Sequence, residues 1–186
     1  MLAPVGIQFH FASVAMPALK SPPGFTMIEL LVVVAVIGVL MSLLFPAVQG
    51  ALDSAKKAQA KNDAMQIATA IVAYDTEYGR LPDSNSSPQT VSSNILGALT
   101  GTDTNLNPRK IIFLEVLNYK KGKGGILNDV FVDPWANSYY VALDGDYDNR
   151  VGVSTNGTVS SNATIMKKVG VWNTNANIRQ QVRSWD

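Results

Sequence analysis

The apolar residues follow two different patterns along the first eighty positions. From Phe25 to Val48 the chain reads FTMIELLVVVAVIGVLMSLLFPAV, apolar on every side of a helix and carrying one formal charge, Glu29. A helix of that length covers about 36 Å, enough to cross a hydrocarbon layer about 30 Å thick with some tilt. The competing explanation is a buried core helix, but a small domain has little room to surround one. A secretory signal would have a shorter apolar part, about 7–15 residues, and a small-residue cleavage site. Past Pro46 the pattern changes instead of ending. Ala51, Ala55 and Ala58, then Ile67, Ile71, Tyr74 and Tyr78, recur at steps of three and four, with Asp53, Lys56, Lys57, Lys61 and Asp63 between them. The spacing predicts one long helix, membrane-spanning and then amphipathic. It should end near Tyr78, because Gly79 suits a C-cap and Pro82 cannot continue a helix.

Downstream, DSNSSPQTVSSN reads as a polar loop, Asn94–Leu99 as a short helix, and Ile111–Leu114 with Val116-Leu117 as another buried element. Three pieces have the β-branched and aromatic content of strands: Ser138–Ala142, Arg150–Val153 and Lys168–Trp172. These elements predict an α+β fold, with a small antiparallel sheet packed on the amphipathic half of the long helix. The expected organisation is residues 1–24 as a leader, 25–48 as the transmembrane segment, 49–80 as the amphipathic helix and 81–186 as the globular domain. Lys120–Gly125 lacks the spacing of a phosphate loop and reads as a flexible basic turn. Asn156 and Asn162 stand in N-x-S/T triplets but read first as turn residues.

Composition removes several functions. The 186 residues are 47% hydrophobic and 16% charged, with 15 Lys+Arg against 14 Asp+Glu. A net charge of +1 without a basic run gives no reason to expect nucleic acid as a partner. The chain has no cysteine, and its single histidine is His10, so thiolate sites, histidine zinc sites and a Ser-His-Asp triad cannot be built from it. A membrane-tethered metal enzyme would have to rely on Asp133 or on an aspartate cluster at 144–148 without a histidine to complete it. The chain is therefore expected not to be an enzyme.

Glu29 is the residue within the apolar segment that needs a partner, since a carboxylate there costs about 2.5–3.5 kcal/mol. Cleavage after Gly24 would give Phe25 a new α-ammonium group. The helix dipole opposes that cation within its own chain, so pairing it with Glu29 of a neighbouring subunit is the better arrangement. A protonated, unpaired Glu29 near the headgroups is the alternative. Pro46 deletes the hydrogen bond to the Ser42 carbonyl, and Gly38 and Gly50 lower helix propensity around it, which makes this stretch a weak point in the helix.

Gly24-Phe25-Thr26-Met27-Ile28-Glu29-Leu30-Leu31-Val32-Val33 resembles the processing motif of the type IV pilin-like family. Asp133-Pro134-Trp135-Ala136-Asn137-Ser138-Tyr139 resembles the DPWGNPY segment of type II secretion major pseudopilins, and Trp172 with the ending Val182-Arg183-Ser184-Trp185 resembles their last strand and tail. The resemblance implies a pilin fold and cleavage between Gly24 and Phe25 by a prepilin peptidase, with methylation of the new amine. It implies a homo-oligomeric helical filament in which Glu29 serves methylation and registration, and melting of the helix from Gly38 to about Pro46 on assembly. The implied partners are an inner-membrane assembly platform and minor pseudopilins, with the C-terminal domain periplasmic. The loop charges, Lys20 against Lys56, Lys57 and Lys61, lean toward the opposite orientation. The leader carries Lys20 as its only basic residue, and Met16 offers a second start besides Met1.

The expected role is a structural subunit of a secretion pseudopilus, and the alternative is a surface type IV pilus for adhesion, motility or DNA uptake. The resemblance also implies calcium in a loop near the C-terminus, but Asn173–Asn177 contains no acid. Asp144, Asp146 and Asp148 alternate in a way that suits Ca²⁺, yet no Gly fills the sixth position and Thr155 stands where a bidentate Glu would be. An Asp-rich turn without metal explains the same residues.

Overall fold

A computed structural model describes residues 24–186. His10, Lys20, Met1, Met16 and the leader before Gly24 lie outside the described residues. The chain divides into two units, up to Leu44 and from Phe45 onward. Helix α1, Met27–Tyr78, runs from the first unit into the second and ends just before Gly79, as its pattern predicts.

In the first unit, residues 24–44 are all exposed, including Phe25, Leu31, Ile37 and Leu43. This segment, on which none of the other described residues packs, is long and apolar enough to cross a membrane.

In the second unit, α1 buries Ala60, Asp63, Ala64, Ile67, Ala70, Ile71, Tyr74 and Asp75, a stripe at steps of three and four. Ala51, Ala55 and Ala58 do not join this stripe and are exposed, because the domain core buries helix residues only from Ala60 onward. The remaining elements follow in order: β1 (Gln89–Thr90), α2 (Ser93–Thr100), β2 (Gly125–Leu127), β3 (Val130–Val132), β4 (Tyr139–Leu143), β5 (Val151–Val153), β6 (Ala163–Ile165) and β7 (Val169–Asn173). An antiparallel sheet runs β1-β4-β7, and β2–β3 and β5–β6 form two separate hairpins. Period-2 alternation divides the sheet. Tyr139, Val141, Leu143, Val169 and Val171 belong to the same core as the α1 stripe, with Ile95 and Leu99 of α2. Ala142 and Trp172 face the other way, onto Val151, Val153, Ile165 and Trp185.

Three readings need correction. The polar loop after Pro82 contains β1, an edge strand pairing Gln89 with Val141 and Thr90 with Tyr140; its half-buried edge position tolerates polar side chains. Ile111–Leu117 is neither helix nor strand. Leu114 is buried and Phe113 and Val116 pack partly, but Ile112 and Leu117 are exposed. The β2–β3 hairpin went unread, although Asn128 and Asp129, with φ of 49° and 61°, form the two-residue turn that such a hairpin favours.

Candidate functional site

The start of α1 is built by two side chains. The Thr26 backbone N–H and hydroxyl both donate to Glu29 Oε2, at 2.8 and 2.7 Å, and the Glu29 N–H donates to Thr26 Oγ1 at 3.3 Å. This reciprocal capping box satisfies two backbone donors that a helix start leaves open. The Thr-x-x-Glu spacing was the signal for it. Glu29 therefore has a partner in its own chain, Thr26, which directly follows Gly24-Phe25, and only Thr26 reaches its carboxylate among the described residues. The anion also sits in the first turn, where the helix dipole favours it.

Gly38, Pro46 and Gly50 all lie inside α1, which continues through them. A Cβ at either glycine would meet nothing within 4 Å. Ser42 Oγ donates to the Val39 carbonyl at 2.7 Å, and Ser54 Oγ to the Gly50 carbonyl at 2.9 Å.

Asp144, Asp146 and Asp148 offer carboxylate oxygens that all lie within 4.8 Å of one another. Asp144 is buried, and its two oxygens accept the backbone N–H groups of Asp148 (2.9 Å) and Asn149 (2.8 Å); the other two aspartates are exposed. Those bonds shape the turn, with Tyr147 and Asn149 at φ of 60°.

The Asp133-Pro134-Trp135 segment is likewise a turn organised by its aspartate. Asp133 is fully buried. Its Oδ1 accepts the N–H groups of Trp135 (2.9 Å) and Asn137 (2.8 Å), and its Oδ2 accepts Asn173 Nδ2 at 2.7 Å. Asn173 in turn accepts the Val182 N–H at 2.9 Å, so one carboxylate ties the β3–β4 turn to the last strand and the tail. Both oxygens of Asp133 are thus engaged in holding the turn and the tail.

A calcium ion does not fit Asn173–Asn177. The stretch has no carboxylate, and the side-chain oxygens of Asn173, Asn175 and Asn177 already accept the N–H groups of Val182, Asn177 and Arg179.

Sequence reasoning also missed Asp63. Burial pushes its carboxyl up to about 6 from an ordinary 3.8, against hydrogen bonds from Gln59 (2.7 Å) and the Tyr139 hydroxyl (3.4 Å). Burial and the nearby Asp63 charge together push the Tyr139 hydroxyl strongly upward, and it donates to the Ala60 carbonyl at 3.0 Å.

Residues 21–45 match the family model described as the prokaryotic N-terminal methylation motif. The type II secretion system core protein G of Pseudomonas aeruginosa is 32% identical over 126 residues, covering 68% of this chain and 77% of the relative. Those of Vibrio cholerae and Escherichia coli are each 28% identical, covering 70% and 71% of this chain and 77% and 79% of the relatives. No solved structure matches the chain. With the N-terminal motif matched and a relative 32% identical over more than two thirds of both chains, the chain belongs to the type II secretion system core protein G family, the pseudopilins of the type IV pilin-like group.

Proposed function

We propose that the protein is a structural pseudopilus subunit, cut between Gly24 and Phe25 by a prepilin peptidase, methylated on the new amine and polymerised through α1 to drive protein secretion. The observation that carries the reading is the pairing of a capped Glu29 with an apolar helix segment that no other described residues cover. Such a segment is stable only in lipid or against other copies of itself. In the membrane the C-terminal domain lies on the periplasmic side, and assembly transfers the helix from lipid to the filament interior. Cleavage leaves a cation on Phe25 that pairs with Glu29 of the neighbouring subunit, while Thr26 holds that carboxylate until then. Gly38, Pro46 and Gly50 give the helix the freedom to unwind as it packs. The names of the relatives favour the secretion pseudopilus over a surface pilus.

The test is expression with a prepilin peptidase and the assembly machinery, followed by mass spectrometry of the mature N-terminus and shearing of filaments. The expected N-terminus is methylated Phe25, and Glu29→Ala is expected to insert and be cleaved but to give at least about tenfold less filament, the loss of one desolvated charge pair. A mature chain that retains residues before Phe25, or normal filaments from Glu29→Ala, overturns the proposal. Protease added to spheroplasts should digest the domain; protection there overturns the orientation.

A further inference from the structure

The last part of the domain contains two loops, residues 154–162 between β5 and β6 and residues 174–181 after β7, the second including one 3-10 turn at Ile178–Gln180. They are held together by hydrogen-bond donors from β7 and the tail. Trp172 Nε1 donates to the Thr158 carbonyl at 2.9 Å. Gln181 Nε2 donates to the Asn156 carbonyl at 2.8 Å and to the Asn175 carbonyl at 2.9 Å, so a single amide bridges both loops. Arg183 Nη2 donates to the Thr155 carbonyl. Contact between the loops is close: a Cβ at Gly157, whose φ is +69°, would lie 2.6 Å from the Asn175 carbonyl oxygen and 2.7 Å from Gln181 Nε2.

Backbone carbonyls converging from two loops are what a hard cation usually gathers, with carboxylates to balance its charge. Here no carboxylate lies between Asn173 and Gln181, and the guanidinium of Arg183 brings a positive charge to the same group of carbonyls. Gln181 Oε1, buried and without a partner among the described residues, is a single neutral oxygen and cannot replace a carboxylate.

We propose that Gln181 and Arg183 do for these loops what a bound cation would do, gathering their carbonyl oxygens, so that the C-terminal part of the domain is held together without calcium. Each donor replaces a metal–oxygen bond with a hydrogen bond, and the arginine supplies the charge permanently instead of by equilibrium with an ion.

The experiment is hydrogen exchange of the full chain in detergent micelles, in millimolar calcium and in chelator, read in peptides covering 154–162 and 173–186 and separately in 144–150. Protection of the first two peptides is expected to be the same in both conditions. Gln181→Ala and Arg183→Ala are each expected to speed exchange there roughly five- to tenfold, the effect of losing one or two such bonds. Gln181→Glu loses the bridging donor and places a carboxylate among the carbonyls, so its protection is expected to become calcium-dependent. Calcium-dependent protection of 154–162 or 173–186 in the unaltered chain overturns the proposal without reference to any variant. So does a Gln181→Glu chain as protected in chelator as the unaltered one.

Discussion

Among single residues, Asp63 has the most direct measurable consequence. Its carboxyl sits near 6 in the folded chain and near 3.8 when exposed, so between those values the folded state binds more protons than the unfolded state. The stability it contributes is complete below about 4 and is lost as pH rises through 6. Asp63→Asn keeps an acceptor for Gln59 and removes the charge. It is expected to be about 2 kcal/mol more stable than the unaltered chain at pH 8, allowing for partial solvent screening, with the gap closing toward pH 4. Denaturant melts of both proteins at the two pH values measure this; an equal gap at both excludes the assignment. Glu29 illustrates the opposite circumstance at the same scale. Inside an apolar run its carboxylate is served locally, by two Thr26 donors at the helix start.

Between β3 and β4, one turn is less favourable than its surroundings. Ala136 has φ of +67°, a left-handed conformation that costs a residue with a Cβ about 1–2 kcal/mol. The Asp133 carboxylate enforces it by binding the N–H groups on either side of Ala136. Ala136→Gly removes the steric cost and adds some unfolded-state entropy, for an expected net gain of about 0.5–1 kcal/mol. A thermal melt in detergent reads the gain, and a loss of stability would show that the Ala136 methyl packs favourably. The long helix behaves differently, since its outward residues up to Ala55 contribute nothing to the domain core and its inward stripe from Ala60 contributes a large part of it.

For the molecule as a whole, the division of labour along α1 predicts that residues 51–186 suffice for the domain. That fragment keeps every buried residue of the second unit and drops the apolar run. It is expected to be soluble, monomeric and to melt within a few degrees of the full chain in micelles, measured by circular dichroism; an aggregated fragment would mean that the exposed segment shields core surface. The parts of this architecture that could be read in the sequence were those with a strong period. The 3.6-residue stripe at Ile67, Ile71 and Tyr74, the continuous apolar run and the alternation at Tyr139–Leu143 announce themselves. β1 and β6 did not, because Gln89-Thr90 and Ala163–Ile165 are too short and polar, and get their strand character from a partner far away in sequence. At the candidate site, Gly24, Phe25 and Glu29 were legible as a motif. The Gln181 and Arg183 contacts were not, since nothing local in the sequence announces which distant carbonyls a side chain will reach.

The position of the tail has a further consequence. Strand β4 is flanked by β1 on one side and β7 on the other, and Ser184 bonds to both the N–H and the carbonyl of Val171 while Trp185 fills the outer face. The central strand thus lacks one neighbour until Val169–Asn173 is in place beside it. Before that strand docks, β4 would be paired only with the two residues of β1, so the sheet closes as a late, long-range event in folding.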